Sequence, residues 1–308
     1  SSEEIQALKG EHTEVTDLDG GFVMPGINDG HSHPAWGGVV ALYYCLFPAT
    51  ASADEVAAKV KGCVSESDEL WIQGGLWTPN FFEDYDIDSP RAWLDDISGD
   101  KAIVLKDDSG HNCWANSKAL ELAGIDKDTP DPIGGKIIRD DNGEATGTLV
   151  DNATALVSSK IPSVSKEEIR RAFQAAFKEL TSLGLTSVHD AGIGIDEAEV
   201  YMSMADNGEM TMRIYAMIWE AGANLDAIGK PIVAYGNDRL DIHSVKLMSD
   251  GALGSHGAAM IEPYEDDIEN RGLRMYTQDE VNSKVKKAND MGFQVGIHAI
   301  GDFGNRQA

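Results

Sequence analysis

Twice along this chain a capped amphipathic helix runs into a glycine stop and then a short β-type run, and this repetition constrains the fold most. Ser165 and Glu168 have the spacing of a capping box, in which each side chain satisfies a backbone N–H of the other's residue. Ile169, Phe173, Ala176, Phe177, Leu180 and Leu183 then recur at helical spacing, and Gly184 supplies the left-handed stop. Residues 185–189 follow as a strand ending on His189. The pattern returns with Thr277 and Glu280 as the box, Val281, Val285, Ala288 and Met291 as the stripe, and Gly292 as the stop. Its strand, residues 293–297, closes on His298. Two further strands are expected at residues 212–219 and 241–247. Strands alternating with helices predict a parallel sheet, and hence an α/β barrel or a doubly wound fold.

Residues 40–160 read differently. They hold short apolar runs at 70–73 and 102–105, a helix near 117–123, a hairpin around Asp140-Asp141-Asn142-Gly143 and a Pro- and Gly-rich loop at 129–135. This stretch is expected to form a subdomain inserted after the first core strand. No apolar run approaches the ~20 residues needed to cross a bilayer. The polar, acidic start is no secretory signal.

Charge narrows the partners. Asp and Glu number 52 against 25 Lys and Arg, a formal net charge of −27. That excess repels phosphate backbones and anionic lipid, so nucleic-acid and membrane partners are not expected. The acids are spread in short clusters, which suits a protein working in concentrated salt, where repulsion is screened; a plain acidic cytoplasmic protein is the alternative. Three cysteines, Cys45, Cys63 and Cys113, lack C-x-x-C spacing, which argues against a disulfide scaffold or thiolate zinc site and for a reducing interior.

Chemistry concentrates at strand ends. His31 and His33 follow the apolar run Phe22-Val23-Met24, and residues at i and i+2 of a strand share a face, so both imidazoles can meet one metal ion. Lys246 sits in a mostly apolar strand, where alternation puts Ile242, Ser244, Lys246 and Met248 on one face. A buried amine there is driven toward neutrality and can take up carbon dioxide as a metal-bridging carbamate; the alternative is a lysine meeting solvent. His298 ends another strand. In α/β barrels such ends form the active site, so His31, His33, Lys246 and His298 can converge there. His111, His189, Asp250 and Asp302 are candidate pocket residues, each with a structural alternative: a packed histidine for the first two, an orienting or helix-capping carboxylate for the others. Trp36, Trp77 and Trp219 line a cavity or simply pack.

These motifs, taken in order, resemble the amidohydrolase superfamily and within it amidohydrolase family 3, the YtcJ-like branch. The likeness rests on residues 23–33 (VMPGINDGHSH), 108–120 (DSGHNCWANSKAL), 131–135 (DPIGG), 143–147 (GEATG), Lys246 with residues 250–255 (DGALGS), and 298–302 (HAIGD). The resemblance implies a (β/α)8 barrel beside a small β-sandwich, with one or two divalent ions, zinc foremost. His31 and His33 would hold the first, carboxylated Lys246 would bridge and serve catalysis, and His298 would hold the second. Hydrolysis of an amide or related C–N bond of a small molecule follows, with a catalytically silent binding or regulatory scaffold as the alternative and a phosphoesterase as a weaker one. Family members carry a further histidine and an aspartate on later strands, whereas residues 166–308 hold about four βα units at ~30 residues each. The expected layout is therefore a partial TIM-like barrel, an internal segment of a longer enzyme. Residues 1–21 are the sandwich tail, 22–39 the first strand and metal motif, 40–160 the insertion, and 161–308 the barrel units. Open strand edges would invite self-association, such as a homo-oligomer.

Overall fold

In a computed structural model of the chain, residues 2–78, 80–132, 135–220, 224–253 and 256–308 are described. The 133–134 and 254–255 portions of the family-like segments lie outside them. Two sheets organise the fold. The chain gives β1 (Ile27–Ser32) to the first. It then gives β2 (Cys45–Leu46), β3 (Trp71–Trp77), β4 (Ala102–Asp107), β5 (Asn112–Ala115), β6 (Gly135–Arg139) and β7 (Ala145–Asp151) to the second. It returns to the first with β8 (Leu185–Ile193), β9 (Arg213–Trp219), β10 (Ile232–Ala234), β11 (Leu240–Met248) and β12 (Gln294–His298).

Strands β1, β8, β9 and β11 pair in that order, all parallel, and β12 adds in parallel to β11. Short β10 pairs antiparallel to β11. The alternation of strands and helices thus produces the parallel sheet it predicts, in a mixed α/β fold. The sheet is open. Among the described residues β1 pairs only with β8 and β12 only with β11, so no closed barrel forms. Among the described residues before Ile27, Ser2–Gln6 is a short helix. Phe22, Val23 and Met24 are exposed, because no neighbouring strand covers them.

One side of the parallel sheet is sealed by helices. The Lys166–Ser182 and Ile195–Asp206 helices bring Phe173, Phe177, Tyr201 and Met204 onto Val188, Ile214, Ala216, Ile218, Ile242 and Val245. Each fully buried side chain of this size contributes roughly 1.5–3 kcal/mol. Both capping boxes form as the sequence predicts, Ser165 with Glu168 and Thr277 with Glu280. The Pro34–Tyr43 helix lies against the Lys166–Ser182 helix at Gly38, where a Cβ would come within 2.4 Å of the Ala172 carbonyl oxygen.

A bulge corrects the expected alternation in β11. The register against β9 slips between Ile242 and Ser244, so Ile242 packs in the helix-side core together with Val245 and does not share a face with Lys246.

The second sheet runs β2-β3-β4-β5-β7-β6, parallel through β4 and antiparallel beyond. Trp77, Phe81, Leu94 and Trp114 fill its core, and the Trp77 and Trp114 indole N–H groups donate to the carbonyls of Leu105 and Pro90. Trp77 is therefore packing. Cys45 and Cys63 are joined as a disulfide across 18 residues, while Cys113 is free and buried. This pairing runs against the expectation of unpaired thiols and against the reducing-interior argument built on it. Sequence spacing missed it because β2 and the Ala53–Glu66 helix bring the two residues together only in the fold. Among the described residues no helix is long and apolar enough to cross a membrane.

Candidate metal centre

Local backbone sets the histidine pair. His31 is on β1, and its N–H donates to Asp29 Oδ1 at 3.0 Å. His33 lies one residue past the strand as the N-cap of the Pro34–Tyr43 helix, because Pro34 opens that helix at once. The rings nevertheless meet, edge to face, with centroids 5.4 Å apart. Both residues are exposed on the side of β1 away from the helix-covered core. Partial desolvation, followed by the neighbouring His31 and Lys246 charges, holds the His33 imidazole below the usual histidine range. It is thereby biased toward the neutral form that a metal needs.

Lys246 is 6% exposed, so the solvent-facing alternative does not hold. It sits between Trp219 on β9 and Gly296 on β12 in the strand register, and it makes no ion pair with a described residue. Burial lowers its amine pKa. Trp219 packs on the backbone of Gly192, where a Cβ would lie 2.4 Å from the indole ring. Only glycine admits the ring there.

His298 ends β12 opposite Met248, half-buried. Its Nε2 is 3.3 Å from the Gly251 carbonyl oxygen and 3.7 Å from Asp250 Oδ1. Asp250 is fully buried and accepts from the backbone N–H groups of Ala259, Ile300 and Gly301 at 2.9, 3.0 and 2.7 Å. It is a clasp between the loops after β11 and β12, not an open pocket wall. Asp302 Oδ1 accepts from Ile261 N–H and Phe303 N–H, each at 2.8 Å, at the start of the Asp302–Gln307 helix. Its oxygen thus serves the backbone.

His189 faces the inner side of the sheet, stacked on Tyr215 with centroids 4.6 Å apart. The Tyr215 hydroxyl meets His243 Nε2 and donates to Gln294 Oε1 at 2.9 Å. His189 and Tyr215 border a small cavity of about 160 Å³ that also takes in Arg213 and Asp241, toward the N-terminal ends of the strands. His111 lies one residue before β5, its Nδ1 2.9 Å from Asp151 Oδ1. Asp151 has no assigned role in the sequence, and its left-handed φ of 48° is unusual for a non-glycine residue. Trp36 is exposed. A larger cleft of about 610 Å³, lined by Tyr44, Cys45, Cys63, Trp71 and Gln73, contains none of the proposed metal residues.

His31, His33 and Lys246 are electrostatic neighbours, whereas His298 turns to Gly251. Among the described residues no three His, Cys, Asp or Glu side chains form a group able to hold a metal ion. The chemistry of the donor set, two imidazoles beside an unpaired buried amine, fits a metal ion once that amine carries a carboxylate. Two residues escaped the sequence reading. Tyr215 and His243 carry no motif; Asp241 pairs with Tyr215 in the register, so ordinary alternation along β11 puts His243 on the tyrosine's side.

The chain is similar to several known proteins. YtcJ of Bacillus subtilis (strain 168) is 32% identical over 304 residues, 94% of this chain and 55% of that protein. The N-substituted formamide deformylase of Arthrobacter pascens is 26% identical, covering 97% of this chain and 57% of its own length. The crystal structure of an uncharacterized metal-dependent hydrolase from Pyrococcus horikoshii OT3 superposes with a TM-score of 0.78 at 25% identity. It covers 99% of this chain and 59% of that one. The chain therefore spans somewhat over half the length of these relatives. The profile of the amidohydrolase family matches residues 14–306, and the chain belongs to that family.

Proposed function

We propose that the protein is a metal-dependent hydrolase of amide or related C–N bonds in small molecules. The adjacency of the His31–His33 pair to buried Lys246, toward the C-terminal ends of parallel strands, carries this reading. His31 and His33 would hold the ion through imidazole nitrogen. The Lys246 amine, its charged form disfavoured by burial, could add to carbon dioxide with release of one proton, and the resulting carbamate would complete the donor set. His298, now directed at the Gly251 carbonyl, would serve a second ion. When bound, a divalent ion, zinc foremost, polarises a carbonyl and acidifies water. Trp219, beside Lys246, limits the site's width and excludes water from one wall. The deformylase among the relatives supports a formamide or similar amide as substrate class.

The test is direct. Protein loaded with zinc is offered a panel of N-substituted formamides and N-acyl amines, and amine release is followed. Hydrolysis that disappears with chelator and returns with metal is expected; metal binding without turnover on any of them turns the reading toward a scaffold.

That second reading, a catalytically silent scaffold with a binding or regulatory role, is favoured by one observation: the described carboxylates and histidines do not gather into a three-ligand group.

A further inference from the structure

Asp190 is the most unusual polar group outside the proposed donor set. It is 0% exposed, on β8, and its Cα pairs with Ser32, the residue between the two histidines. Its Oδ2 accepts from the Tyr201 hydroxyl at 2.7 Å and from the Ala35 backbone N–H at 3.3 Å. Its Oδ1 is buried with no hydrogen-bond partner among the described residues. A buried carboxyl with half its acceptor capacity unmet is costly, and alanine or leucine would fill the space without that cost. Its geometry gives a reason to keep it.

Ala35 is two residues beyond His33, in the first turn of the Pro34–Tyr43 helix. Proline at position 34 has no N–H, so Ala35 offers the first backbone donor after the histidine pair. The carboxyl oxygen takes that donor, while the Ser32 hydroxyl donates to the His189 carbonyl at 3.4 Å. Both links run from the histidine turn to consecutive residues of β8. Tyr201 completes the brace: it is fully buried, stacked on Phe173 with centroids 4.0 Å apart, and cannot move without disturbing the core.

We infer that Asp190 is a positioning residue that fixes the His31–His33 turn for metal binding, with Tyr201 holding it in place. The inference rests on the metal-site reading above. Supporting groups behind metal ligands commonly change affinity 10–100-fold when removed.

Zinc affinity, read by competition with a chromophoric chelator rather than by turnover, tests it in the intact protein. Asp190→Ala is expected to weaken zinc at least tenfold. Asp190→Asn, which keeps an oxygen acceptor for Ala35, is expected to stay within about threefold of the parent protein. A merely structural role would lower thermal stability in both and leave zinc affinity alike. Should Asp190→Ala fail to fold, Tyr201→Phe takes its place, with a threefold or greater loss of affinity expected in a folded protein. Parent-like affinity in a folded Asp190→Ala, or failing that in Tyr201→Phe, overturns the inference alone. A parent protein that binds no zinc overturns the metal-site reading and this inference together.

Discussion

His31 and His33 stand edge to face with ring centroids 5.4 Å apart, although one belongs to a strand and the other to a helix cap. Either ring alone is a weak ligand. His31→Ala and His33→Ala are each expected to lower zinc affinity more than about a hundredfold, beyond the range for supporting groups, with little change in folding stability because both are exposed. Equilibrium dialysis with metal analysis, beside urea denaturation, checks both halves.

Lys246 should separate stability from function. Lys246→Met keeps the stem and removes a buried amine that has no described ion partner, so stability is expected to hold or rise by about 1 kcal/mol while zinc binding and hydrolysis fall. Because the folded amine pKa is lowered, the unfolded chain holds more protons, and this group adds stability as pH climbs toward its unfolded value. Comparing the two proteins from pH 7 to 10 should show that increment in the parent alone.

Asp190 has the opposite sign. Burial raises its pKa from 3.8 to about 7, so its favourable protonated state is fully present below pH 3.8 and is lost as pH rises through about 7. Asp190→Asn removes that dependence. The stability difference between the two proteins should move in favour of asparagine by roughly 2–3 kcal/mol between pH 5 and 8, measured by urea unfolding of metal-free protein.

How much of this was legible in the sequence depends on how local each signal is. The boxes at Ser165 and Thr277 and the helix at Ser117–Ala123 are set by neighbours in the chain, and they form as expected. The strands at β8, β9, β11 and β12 lie within two residues of their expected starts. What failed is non-local. The bulge beside Ile242 is imposed by pairing with β9, and it moves that residue to the other face. The Cys45–Cys63 pairing depends on where a helix lands. Among the site residues, His31 and His33 stand ring to ring and His33 feels the Lys246 charge, whereas His298 Nε2 lies at the Gly251 carbonyl.

The disulfide closes a loop between residues 18 apart, and loop entropy assigns it about 3 kcal/mol. Dithiothreitol should lower the urea midpoint accordingly. Thiol titration of denatured, unreduced protein should find one reactive group, Cys113; three would contradict the pairing.

A net charge of −27 on 308 residues should make stability salt-dependent. Raising potassium chloride from 0.1 to 1 M shortens the screening length from about 10 to about 3 Å. The melting temperature is expected to rise; a flat or falling curve would remove the concentrated-salt reading.

The contact at Gly38 sets a boundary on how this molecule can vary. With the Ala172 oxygen 2.4 Å from any added methyl group, even the smallest substitution must pry two helices apart. One of those helices begins at the imidazole of His33, five positions upstream. Bulk introduced at Gly38 would shift that helix and, with it, the His33 cap, making an inconspicuous glycine a lever on a candidate site it never touches.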